Sequence, residues 1–233
     1  MGEMNRRKFV TYGAWAAIVA ALGFVSGYFL THRAQEASGY SGRDRLPPDQ
    51  AEVDSLQVLH FGAVPDIKLD EWAFEVYGEV EKPLKLTWNQ FAELSRVVNV
   101  SDFHCVTGWT KLDNRWEGVS FREIARLVKP TARAKYATIE CYTHRLFANV
   151  AYTTSLPLVD LLRDAVLFAY RLDGQPLTPS HGGPLRLVVP HKYAYKSAKW
   201  VKAVKFTEKQ ELGFWESSGY SNTADPWTND RYG

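Results

Sequence analysis

The 233-residue chain has room for one substantial domain and a further short segment, and its 45% hydrophobic and 23% charged content excludes a disordered polypeptide. A formal net charge of +2 gives no electrostatic basis for nucleic-acid binding. Its two cysteines, Cys105 and Cys141, exclude a CxxC zinc knuckle, a thioredoxin-like dithiol and covalent c-type haem within this sequence.

At the start, Asn5-Arg6-Arg7-Lys8-Phe9-Val10 has the shape of a twin-arginine export signal, with paired arginines, one spacer, an aromatic and an aliphatic residue. The uncharged run 9–31 follows, longer than a usual signal-peptide core and long enough to span a bilayer. Arginines before an apolar helix also satisfy positive-inside topology, and both readings place the N-terminus inside and the rest outside. No convincing small-x-small cleavage site follows; residues 35–37 fail at the first position, Gln35. We expect residues 1–31 to be a signal or membrane anchor and 32–55, with Gly39, Gly42, Pro47 and Pro48, to be a polar linker. Residues 56–233 then form a domain on the outer face of the cytoplasmic membrane.

In that domain, residues 74–77 alternate apolar and polar in strand fashion and break at Gly78. Thr87 with Gln90, and Ser120 with Glu123, have the spacing of capping boxes opening helices, the second ended by Pro130. Residues 136–141 read as a strand, and Ser155 is expected to cap a short helix with Pro157 in its first turn. Residues 166–172 read as a strand closed by Asp173-Gly174, and 185–189 and 200–206 as two more. The pattern predicts an α+β domain on a mixed sheet.

Three segments fit poorly as plain core. Residues 103–109, FHCVTGW, set a lone cysteine among His, Thr, Gly and Trp, although a buried cysteine packing as a small hydrophobe is the ordinary use. His181-Gly182-Gly183-Pro184-Leu185-Arg186 puts two glycines before an apolar strand, allowing close backbone approach, between a His and an Arg that can bind phosphate. The same wording also fits an ordinary loop. In KYAYKSAKW, residues 192–200, Lys196, Ser197 and Lys199 are placed to bind phosphate, whereas Lys202 and Lys205 read as a solvated face.

FHCVTGW, HGGPLRLVVP and KYAYKSAKW, in this order, resemble the molybdopterin-binding domain shared by sulfite oxidases and the periplasmic methionine sulfoxide reductase catalytic subunit. VLHFGAVP and the closing GFWESSGYS and DPW stretches resemble the compact bacterial sulfite oxidase-like oxidoreductases, so the likeness runs from about Leu56 onward. The resemblance implies a sulfite-oxidase-type fold, a molybdenum–molybdopterin cofactor and Cys105 as the molybdenum ligand, a soft thiolate suited to this metal. It also implies cofactor contacts from His60, Phe61, Cys141, His181, Arg186, Ala194, Tyr195 and Lys196.

One departure bears on the substrate. Where sulfite oxidases place arginines beside the metal, this sequence has Leu59 and Trp109, with Arg145 as a charge that could compensate. The resemblance thus implies oxygen-atom transfer on a sulfoxide or related S- or N-oxide. Sulfite oxidation is the alternative on the same fold, and an exported binding domain with a Cys105–Cys141 disulfide is the alternative of another class. With no haem or iron–sulfur motif, an oxidoreductase of this kind needs a separate haem- or quinone-linked electron partner. Lacking a second domain of about 100 residues after the cofactor motifs, it is expected to be a monomer.

Overall fold

The computed structural model describes residues 45–60, 62–142 and 152–233. The expected signal or anchor, the linker up to residue 44, Phe61 and Arg145 lie outside the described residues. No helix among the described residues is long and apolar enough to cross a membrane.

In chain order the elements are β1 (Ala51–Glu52), β2 (Ala73–Gly78), β3 (Leu84–Thr87), α1 (Trp88–Ala92), β4 (Arg96–Cys105), β5 (Trp109–Ser120) and α2 (Phe121–Val128). There follow β6 (Tyr136–Cys141), β7 (Thr153–Pro157), α3 (Leu158–Leu161), β8 (Leu167–Leu172), β9 (Gln175–Pro176), β10 (Arg186–Val188) and β11 (Val201–Thr207). They make two mixed sheets with few helices. One runs β1-β5-β8-β10, with β4 on β5 and β9 on β8; the other runs β3-β2-β11-β6-β7. The parallel pairs are β1 with β5 and β11 with β2.

The alternation in β2 sends Phe74 and Val76 inward and leaves Glu75 and Tyr77 exposed. Phe74 meets Phe91 of α1 at 5.1 Å and Phe168 of β8 at 5.2 Å between ring centroids, and Phe168 stacks on Phe121 of α2 at 5.7 Å. This aromatic chain ties the sheets into one core, completed by Ile124, Leu187, Val204 and Phe206. A smaller core on the six-stranded sheet gathers Phe103, Trp116, Leu167 and Val188.

The local signals hold in part. Thr87 and Gln90 form the full reciprocal capping box. Ser120 accepts from the Glu123 backbone N–H, but Glu123 turns its carboxylate to Arg126, so the second box is half made. Lys129, in the left-handed region at φ 53°, already stops α2 before Pro130. Ser155 does not cap a helix. It sits in β7, paired with Thr138 of β6, and α3 begins after Pro157 without a side-chain cap.

The longest pairing, the β4–β5 hairpin, delivers Cys105 to the site. Cys105 faces Trp109 across a three-residue connection, Val106-Thr107-Gly108, and a register shift near Asp102 interrupts β4. The last part of the stretch expected as linker packs on this hairpin: Ala51 pairs with Trp109 and Glu52 with Thr110.

Candidate active site

A cavity of about 270 Å³ opens where the β4–β5 turn, the 194–200 segment and residues 56–60 converge. Its walls include Cys105, Trp109, Tyr152, Arg186, Lys199 and Trp215. Such a concave, mostly apolar site with a few convergent polar groups is the usual form of a cofactor pocket.

Cys105 stands at the end of β4, 7% exposed, with its Sγ 3.1 Å from Thr107 Oγ1. Burial pushes its thiol pKa up, while the Thr107 hydrogen bonds and the charges of Arg231 and Lys199 pull it down. Metal binding would have to remove that proton, as thiolate ligation requires.

Arg186 lies in β10 at 2% exposure. Its Nη1 donates to the His181 carbonyl at 2.9 Å and its Nη2 to the Ser197 carbonyl at 3.1 Å. Its guanidinium sits 4.9 Å from the Phe103 ring centroid and 5.3 Å from that of Trp116. Burial lowers its pKa to about 10, and its Nε has no partner among the described residues. A buried cation facing two rings and two neutral carbonyls lacks a counter-charge among the described residues, and an anionic ligand would supply one.

Lys199 is the second cation of the wall. Its ammonium donates to the Leu59 carbonyl at 2.9 Å and the Ser180 carbonyl at 2.7 Å. Burial, then the charge of Arg186, lowers its pKa to about 7, with Cys105 opposing. Gly182 makes its approach possible. At φ +102° an added Cβ would fall 2.9 Å from Lys199 Cγ and 3.1 Å from Arg186 Cβ. The first glycine of the pair thus serves the packing of both cations, whereas Gly183 lies against the Leu177 backbone, where an added Cβ would run into the carbonyl oxygen.

Of the residues expected at the cofactor, Cys105, Arg186, His60, Ala194 and Tyr195 line this cavity. His60 donates from Nδ1 to the Gly62 carbonyl and meets Trp200 edge-on at 5.7 Å. The other three described residues lie outside the cavity wall. His181 bridges Thr178 Oγ1 and the Leu56 carbonyl and supports Arg186 through its own carbonyl. Lys196 is fully buried but directs its ammonium to Glu216 and the Ser155 carbonyl. Cys141 ends β6 inside the main core, where burial pushes its thiol pKa strongly up. Both cysteines are free, each ending a strand of a different sheet, so the alternative of a Cys105–Cys141 disulfide is overturned.

Sequence reasoning gave no role to Tyr152, Trp215 or Tyr220 in the wall. Trp215 and Tyr220 lie in the GFWESSGYS stretch that carried part of the resemblance, whereas no local signal marked Tyr152.

Two mixed sheets presenting a buried thiol, a counter-charge-deficient arginine and an aromatic wall define an enzyme site for an anionic cofactor. The family described as oxidoreductase molybdopterin binding domain matches residues 61–215, and the chain belongs to it. It is similar to the uncharacterized oxidoreductase YuiH of Bacillus subtilis, 41% identical over 88% of this chain and 98% of that one. It is also 30% identical to a protein-methionine-sulfoxide reductase catalytic subunit of Campylobacter jejuni, over 91% of this chain and 76% of that one. Among solved structures, the sulfane dehydrogenase SoxCD from Paracoccus pantotrophus shares the fold, with a TM-score of 0.58 and 20% identity over 65% of this chain and 42% of that one. The cofactor is molybdenum carried by molybdopterin, and the site fits it: Cys105 offers a soft sulfur donor, and Nε of Arg186, without a partner among the described residues, is left for an anion.

Proposed function

We propose that this enzyme transfers an oxygen atom from a sulfoxide or related S- or N-oxide, with Cys105 ligating the molybdenum. The observation that carries the substrate class is the neutral wall around the thiol: Val106, Trp109, Tyr152, Trp215 and Tyr220 surround the approach. The two described cavity cations are already engaged with backbone carbonyls, Arg186 at 181 and 197 and Lys199 at 59 and 180. A doubly charged oxyanion is best held by arginine forks that are free to bind it, and an apolar sulfoxide by aromatic faces. Likeness to protein-methionine-sulfoxide reductase catalytic subunits supports the same class.

When bound, the cofactor supplies the two-electron chemistry, and the protein orients it and shapes the pocket. The net change on a sulfoxide takes up two electrons and two protons and releases the sulfide and water. The Cys105 thiolate would hold the metal. The indoles of Trp109 and Trp215 exclude bulk water, and Nε of Arg186, left over once its two Nη atoms are taken by carbonyls, would meet the anionic end of the cofactor. Burial holds the Tyr152 pKa far above neutrality, so its phenol keeps its proton at Oη and can donate a hydrogen bond to a polar substrate oxygen. Electrons arrive from a separate haem- or quinone-linked partner. Residues 1–31 bring the domain to the outer face of the cytoplasmic membrane.

The test is elemental analysis for molybdenum, then turnover with methionine sulfoxide and with sulfite using artificial electron donors or acceptors. Wild type is expected to contain molybdenum and to reduce the sulfoxide. Cys105→Ser should lose turnover and Cys141→Ser should keep most of it, since only Cys105 faces the cavity. Faster turnover of sulfite than of any sulfoxide would overturn the substrate reading.

A further inference from the structure

The turn that presents Cys105 is held from two distant parts of the chain. Its backbone closes on itself, with Gly108 N–H donating to the Cys105 carbonyl at 3.1 Å. From residues 50–51, Gln50 Nε2 also donates to the Cys105 carbonyl at 3.1 Å, and Ala51 N–H donates to the Gly108 carbonyl at 2.9 Å. From the other end, Arg231 Nη1 donates to the Val106 carbonyl at 2.7 Å. The carbonyls of 105, 106 and 108 are all taken.

The guanidinium of Arg231 is itself fixed in place. Its Nε donates to Asn229 Oδ1 at 2.6 Å, its Nη2 reaches the Asp49 carbonyl at 3.5 Å, and its Cζ lies 5.8 Å from the Tyr193 ring centroid. Asn229 accepts from Tyr193 Oη at 3.2 Å and donates from Nδ2 to Asp49 Oδ2 at 3.0 Å. Arg231 therefore joins residue 49, the turn and the Tyr193 segment that precedes the cavity-lining Ala194 and Tyr195.

We infer that Arg231 is a positioning residue for the metal site: through the Val106 carbonyl, with Gln50 opposite, it sets where the Cys105 thiolate stands. The inference rests on Cys105 being the molybdenum ligand. A charge-assisted bond to a carbonyl one residue from the ligand restricts the turn more than a neutral contact does. Outer-shell partners that orient a metal ligand typically change metal retention about 10–100-fold when removed.

The test uses the cofactor-loaded full chain and two readouts besides activity: the rate of molybdenum loss to a chelator, and the position of the thiolate-to-metal charge-transfer absorption. Arg231→Ala is expected to release molybdenum about 10–100-fold faster and to shift the band. Arg231→Lys should restore most of both, because an ammonium can still reach the Val106 carbonyl. Arg231→Gln, which keeps bulk and a donor amide, serves if the alanine variant does not fold, and should fall between. Asp230→Ala is the control for general order of the segment, since Asp230 anchors it through Ser221 Oγ at 2.6 Å without touching the turn. It should lower thermal stability and leave the band unmoved. The inference is overturned if Arg231→Ala leaves both readouts unchanged, or if Asp230→Ala shifts the band equally. Loss of the band in Cys105→Ser upholds the ligand assignment whichever way Arg231 falls; an unaltered band in Cys105→Ser overturns that assignment itself.

Discussion

Lys199 gives the site a pH signature in the cofactor-free protein. Its pKa falls from an ordinary lysine value of 10.5 to about 7 because its ammonium is drawn into the cavity wall near Arg186. Between those values the unfolded chain binds more protons at this residue than the folded one, so stability rises with pH across the window. Below pH 7 both states are protonated and the cost of burying the charge is fully present. From pH 7.0 to 8.5, a pKa of 7 against 10.5 corresponds to about 1.6 kcal/mol of added stability. The ammonium keeps two carbonyl partners and some access to water at the cavity mouth, so we discount this to about 1 kcal/mol.

The assay is urea unfolding of cofactor-free wild type and Lys199→Met at pH 7.0 and 8.5, taking the difference between the two proteins at each pH. Subtraction removes contributions common to both, including buried Lys196, whose pKa is also lowered. The window stops short of pH 9, where the raised thiol pKa values of Cys105 and Cys141 act in the opposite sense. Wild type should gain about 1 kcal/mol relative to the variant, or about 2–4 °C in Tm for a domain of this size. Parallel behaviour of the two proteins would refute the argument. Loading the cofactor should abolish the gain if its anionic end lies near Lys199, because the anion keeps the lysine protonated throughout.

Two further outcomes follow from packing. Glu216→Gln leaves the Lys196 ammonium buried without its carboxylate and should cost about 3–5 kcal/mol by urea unfolding, with much of the loss recovered in the double variant Lys196→Met, Glu216→Leu. Gly182→Ala places a methyl against Lys199 and Arg186 at a left-handed φ; it should cost about 1–3 kcal/mol and lower the molybdenum-to-protein ratio.

The sequence made legible those parts of the fold whose cause is local. Thr87 meets Gln90 three residues on, Phe74 and Val76 alternate with Glu75 and Tyr77, and Asp173-Gly174 supplies the positive φ values that close β8 on β9. The β4–β5 hairpin escaped because its pattern is broken where it matters. The register shift near Asp102 interrupts the alternation just before Cys105, and the three-residue Val106-Thr107-Gly108 connection, with Gly108 at φ +98°, lacks the Asn-Gly wording of a two-residue hairpin turn. At Ser155 a helix signal lost to tertiary pairing: β6 offers a complete backbone partner from Thr138, and a strand satisfies both chains there at once.

The same distinction runs through the site. A motif places a backbone segment, but the direction of a long side chain depends on charges brought in from elsewhere. KYAYKSAKW supplied Ala194 and Tyr195 to the cavity, yet Lys196 turns the other way because Glu216, beside Thr154 and Ser155, waits in the core as its counter-ion. Lys199, three residues later, has no carboxylate among its hydrogen-bond partners and stays in the wall with carbonyls alone. Arg231 is the extreme case. It acts on Val106 across 125 positions, in a stretch whose likeness to known proteins was visible but whose role was not. Local spacing could identify the thiol; the groups that decide its position are set by contacts only the folded chain brings together.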